Sequence, residues 1–106
     1  MNVDTSMFTI EGELSIYRAA ELAQALADWQ SQATAQSTPL TLDLSEVTEM
    51  DCAGLQLLLS LLRSTQQAGQ VLEIAAASDA VTEVLSLAGA APYFAIKPSL
   101  EGKSTL

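Results

Sequence analysis

The stretch Asp43-Leu-Ser-Glu-Val-Thr-Glu-Met-Asp-Cys-Ala-Gly-Leu55 decides the fold. It leaves an apolar alternating segment, crosses an acidic turn and enters a helix whose first turn carries the chain's one thiol, Cys52. Asp51 is a good N-cap residue, which places Cys52 at the first helical position. A helix start presents unpaired backbone N–H groups and the positive end of the macrodipole, so it suits an anion. The chain contains no His, and no Lys lies close in sequence, so the thiol has no evident general base. The corner has the architecture of a switch site without the residues of a catalytic one.

Upstream, Leu40, Leu42 and Leu44 alternate with Thr41 and Asp43, the period of a strand. Before it, Ala19, Leu22, Ala23, Leu26, Trp29 and Ala33 share one stripe of a helix, with Glu21, Gln24 and Asp28 opposite. Met7 to Ile10 alternates as a first strand, Gly12 allows a reversal, and Leu14 to Tyr17 forms a short second strand. Gln32 to Thr38 is polar and weakly structured, and Pro39 closes it. Downstream, the helix from Cys52 runs to Ala68 with Gly69 after its end. Val71 to Ala76 is a fourth strand. Ser78 or Asp79 caps a third helix closed by Gly89, Tyr93 to Ile96 is a last strand, and Pro98 onward is a frayed tail.

The expected order is β-β-α-β-α-β-α-β. It describes one α/β domain over residues 1–106, with residues 98–106 as a flexible tail. Its sheet is mixed but largely parallel, with an N-terminal hairpin and packed helices. Within the second helix, Leu55, Leu58, Leu59 and Leu62 form the expected core stripe. Leu57, Leu61 and Ala68 fall on an adjoining sector. They either pack under neighbouring helices or join a partner surface. Cys52, Gln56, Ser60, Arg63 and Gln67 lie on the polar side.

Composition removes several function classes. A chain of 106 residues that is 49% apolar supports one core, and a net charge of −9 against only four cations excludes phosphate-backbone binding and adhesion to anionic membrane. Met1-Asn-Val-Asp lacks the pattern of a signal peptide, and Leu55 to Leu62 is far shorter than the ~20 residues a bilayer requires. With one Cys and no internal disulfide, a reducing cytoplasm is the expected compartment. The acids Asp43, Glu46, Glu49 and Asp51 do not match a calcium loop, and the glycines form no nucleotide motif, so no metal or cofactor is expected. Ser45 and Thr48 are turn hydroxyls, a residue type that usually bonds to local backbone.

Three segments resemble the STAS domain, the module of bacterial anti-sigma factor antagonists. Leu42 to Leu59 follows the family pattern of a DLS triplet, a spacer and a D-S-[ST/A]-G-L start. Gly12-Glu-Leu-Ser-Ile-Tyr-Arg-Ala-Ala-Glu-Leu22 is similar to its entry, and Gly69 to Ile74 with Val81–Gly89 and Phe94 to its closing elements. The resemblance implies a non-enzymatic protein that binds a regulatory partner, an anti-sigma factor or a histidine-kinase-type protein of the chemotaxis kind. The implied surface involves Asp51, Cys52, Ala53, Gly54 and Gln56, with Asp43 and Ser45 of the turn. It also implies a phosphorylated Ser where this chain has Cys52, followed by Ala53, so neither position supplies a hydroxyl. A STAS subunit bracing the ATPase of a lipid-transport ABC complex, and a thiol-redox sensor, are the alternatives.

Overall fold

The computed structural model describes residues 7–33 and 40–96. Residues 34–38 of the polar segment, Pro39 and the tail expected at 98–106 lie outside the described residues. Four strands pair in the order β1-β2-β3-β4, every pair parallel. They are β1 (Met7–Leu14), β2 (Leu40–Met50), β3 (Leu72–Ala77) and β4 (Ala95–Ile96). Helices α1 (Ala19–Gln32), α2 (Cys52–Gln67) and α3 (Asp79–Leu87) make the three crossovers. Because successive strands are neighbours and such crossovers share one hand, the helices lie on one face of the sheet. The burial pattern agrees. Ile10, Leu14, Leu42, Leu44 and Ile74 are buried, while Thr9, Glu11 and Glu13 alternate with them toward the other face.

Among the described residues the expected N-terminal hairpin is absent. Met7 to Leu14 is one continuous strand, and Ser15 to Arg18 is a turn closed by the Arg18 N–H donating to the Ser15 carbonyl at 3.0 Å. Gly12 does adopt positive φ, at 82°, but inside the strand, next to a register shift against β2. That register shift and a second, between Thr9 and Glu11, each put one extra residue into β2. Such bulges bend a strand, and they carry β2 along the whole of β1 until Met50 stands opposite Leu14. Arg18 then covers the glycine: its guanidinium donates to the carbonyls of Glu11 and Glu13, and pairs with Glu21 at 3.5 Å.

The second departure concerns α2. Its fully buried face is Gly54, Leu58, Leu61 and Thr65; of the expected stripe, Leu58 is buried, Leu55 and Leu62 pack half-buried against the core, and only Leu59 turns outward. Leu59 is 36% exposed, whereas Leu61 is buried and Leu57 half-buried against the core, beside Leu26 of α1. Thr65 tolerates complete burial because its hydroxyl donates to the Leu62 carbonyl at 2.8 Å. The α1 stripe packs as expected through Leu22, Leu26, Trp29 and Ala33, with the Trp29 ring 5.4 Å from Phe8 of β1, though Ala23 is exposed. A chain of amides locks the far ends of α1 and α2. Ser64 donates to Gln30, Gln30 to Gln70, and Gln70 to the Ala33 carbonyl.

Near the C-terminus, the expected strand Tyr93 to Ile96 is shorter. Residues 91–93 form a 3₁₀ turn, with Pro92 in it, and only Ala95–Ile96 pair with β3. The Ser78 side chain caps α3 by accepting from the Val81 N–H at 3.3 Å, and its own N–H donates to Leu44 of β2. No helix among the described residues is long and apolar enough to cross a membrane.

Candidate functional site

The start of α2 is built by three bonds that converge on one residue. Asp51 Oδ1 accepts from the Gly54 N–H at 3.1 Å, the N-cap bond the sequence leads one to expect. Its Oδ2 accepts from the Ile16 N–H at 3.1 Å, across 35 residues of chain. Its own N–H donates to the Leu14 carbonyl at 3.3 Å. One carboxylate thus fastens α2 to the turn that follows β1. The Ile16 N–H first, and the Gly54 N–H second, hold the Asp51 carboxyl below the usual Asp range.

Gly54 explains why this junction closes so tightly. A Cβ at residue 54 would stand 2.1 Å from the Leu14 carbonyl oxygen and 2.9 Å from the Leu14 side chain. Only a hydrogen atom fits, so the motif's glycine is set by the approach of helix to strand and not by its φ.

Cys52, the first residue of α2, is an exposed free thiol. Ala53 is half-buried, and Gln56 is exposed one turn further along. Asp51, Cys52, Ala53, Gly54 and Gln56 therefore come together at one open corner, its scaffold buried and its thiol outside. Asp43 and Ser45 form a separate feature. Asp43 Oδ1 accepts from both the Ser45 N–H at 3.0 Å and the Ser45 hydroxyl at 2.7 Å, which stabilises the bulged part of β2. No hydrogen bond among the described residues joins them to Asp51 or Cys52. No cluster of metal-ligating side chains occurs among the described residues.

Two residues that the sequence pattern assigns to a strand belong to this corner. Ile16 and Tyr17 are 66% and 87% exposed, beside the Asp51 bond, in a turn also held by the Tyr17 N–H donating to Ser15 Oγ at 3.3 Å. No local pattern reveals a partnership across so long a stretch of chain; the early entry segment is its only signal.

A family model described as "Mlab, STAS domain" matches residues 1–94. Among solved structures, a candidate anti-sigma factor antagonist from Thermotoga maritima is similar at 21% identity with a TM-score of 0.75, covering 95% of this chain and 86% of that one. An anti-sigma factor antagonist from Mycobacterium paratuberculosis is similar at 22% identity with a TM-score of 0.75, covering 90% and 78%. The STAS domain of a SulP transporter from Vibrio cholerae is similar at 26% identity with a TM-score of 0.62, covering 91% and 74%.

Proposed function

The chain belongs to the STAS-domain family, and we propose that it is a non-enzymatic regulatory module that binds a protein partner through the corner at the start of α2. The observation that carries this reading is the exposed Cys52 on a helix start anchored by Asp51 to Ile16 and Gly54. Pre-organised backbone loses little entropy on docking, so such a corner favours binding. The partner is an anti-sigma factor or a histidine-kinase-type signalling protein, and the compartment is the cytoplasm. The chain has no His to pair with the thiol as its base.

Relatives that resemble this chain are described as anti-sigma factor antagonists. In that kind of regulation a phosphate at this corner suits the helix start but disrupts an interface. Here position 52 offers a thiol, close to an unphosphorylated Ser in size, and position 53 a methyl group. The module therefore binds without the usual hydroxyl-based release. A second reading follows from the same fact: a permanent STAS subunit bracing the ATPase of a lipid-transport ABC complex needs no such release.

The test is a titration of the parent chain, Cys52→Ser and Cys52→Glu against a purified signalling kinase or anti-sigma factor from the source cell. Cys52→Ser should bind as the parent does, and Cys52→Glu should bind more weakly with its fold intact, since an anion at the first helical position suits the dipole. Equal affinity of the Glu variant removes this corner from the interface. Co-purification with a transport ATPase in place of the kinase selects the second reading.

A further inference from the structure

The distribution of charge along the helices points beyond the corner itself. The protein carries a net charge of −9, and α1, α3 and the strands β1, β2 and β3 all bear carboxylates. By contrast, α2 from Cys52 to Gln67 contains none, and its one charge is Arg63. Depletion of charge is what distinguishes the core of a protein interface from ordinary surface. The outward side of α2 runs from Cys52 through Gln56 to Leu59, Ser60 and Arg63. The last four line a shallow open depression.

The two arginines among the described residues differ in kind. Arg18 directs its guanidinium to the Glu11 and Glu13 carbonyls and to Glu21. Arg63 is exposed, and no hydrogen bond or ion pair ties it to any other described residue. At the other end of the stripe, Tyr17 and Ile16 expose large apolar surface from a turn whose backbone is fixed by Asp51 and Ser15. An exposed tyrosine on a turn with a fixed backbone is a residue type enriched among interface anchors.

Resting on the binding reading above, we propose that the partner face extends from the Ile16–Tyr17 turn across Cys52 and Gln56 to Leu59 and Arg63. Its occupant is a different protein that offers an apolar cleft to Tyr17 and a carboxylate to Arg63, within a surface that is otherwise basic. Charge complementarity selects this occupant over a second copy of the chain, which would set one strongly acidic body against another. Arg63 supplies the register, because it is the one charged side chain of α2 and attracts a negative partner group.

A photo-crosslinking residue placed singly at positions 17, 56, 59 and 83 of the full chain, in the source cell, tests the assignment. Position 83 is Glu83 on the exposed side of α3. Positions 17, 56 and 59 should crosslink to one and the same heterologous protein, and position 83 should not. Crosslinking at 56 without 17 and 59 overturns the extended face while leaving the corner as the binding site. Failure at all three, or capture only at 83, overturns both. A product of two copies of this chain overturns the chosen occupant. With the crosslinked protein purified, Arg63→Glu should weaken binding roughly tenfold or more, and Arg63→Lys much less; equal affinity of Arg63→Glu and parent overturns the carboxylate.

Discussion

Replacing Gly54 by Ala sets two effects of opposite sign against each other. Helix propensity alone stabilises Ala over Gly by about 1 kcal/mol in a helix interior. The junction opposes it: the new methyl group would lie 2.1 Å from the Leu14 carbonyl oxygen and 3.0 Å from the Leu14 carbonyl carbon. The obstacle is buried backbone and not the tip of a flexible side chain, so helix and strand must part by roughly 1 Å. Parting them strains the bond from the Asp51 N–H to the Leu14 carbonyl and the one from the Ile16 N–H to Asp51. Overpacking costs about 1–3 kcal/mol, and a weakened hydrogen bond about 1 kcal/mol. The net expectation is a loss of about 2 kcal/mol, or roughly 10 °C in Tm for a domain of this size. Urea unfolding followed by circular dichroism reads it directly. Gly69→Ala is the control, since a Cβ there meets no atom within 4 Å and the change costs only the strain of its φ of 75°, about 1 kcal/mol. Gly54→Ala as stable as the parent would refute the close seating of α2 on β1.

The remaining expectations concern the same corner and the cap of α3. The Asp51 carboxyl is held below the usual Asp range by the Ile16 and Gly54 N–H groups. Its contribution is therefore complete above the ordinary Asp value of about 3.9 and is lost as pH falls through the lower folded value. The stability difference between the parent and Asp51→Asn, from urea midpoints, should be constant near neutrality and shrink only in strong acid; a difference that vanishes at pH ~5 contradicts the assignment. Cys52→Ser should leave stability within about 0.5 kcal/mol of the parent, because the site is exposed. The same variant should gain phosphate from a cognate Ser/Thr kinase in a mass-spectrometric assay, and its failure to be modified by any such kinase removes support from the switch-site idea. Ser78→Ala should cost about 1 kcal/mol through loss of the α3 cap, seen in the same denaturation curves.

What could be read from the sequence was what local chemistry encodes. Asp51 as a cap, Cys52 at the first helical position, Gly69 after α2 and the buried side of α1 each depend on neighbours within a turn or two. The misplaced hairpin arose because a glycine in an alternating segment looks the same whether it reverses the chain or relieves a bulge. Only the pairing of β2 along all of β1 distinguishes the two. The core face of α2 was ambiguous because leucines occupy positions 55, 57, 58, 59, 61 and 62, an apolar sector wider than one sheet contact covers. The position of Gly54 against Leu14 breaks that tie, rotating Leu58, Leu61 and Thr65 inward and leaving Leu59 at the surface. The bond from Ile16 to Asp51, which makes the corner rigid, is a product of tertiary structure and leaves no periodic trace.

Partner binding at the start of α2 requires an accessible thiol at a surface that another protein covers. The rate at which a thiol reagent labels Cys52, the one cysteine in the chain, measures this in the free protein and in the protein saturated with its partner. Rapid labelling alone and strong protection in the complex is the expected result. Slow labelling of the free folded chain, or an unchanged rate in the complex, would contradict it.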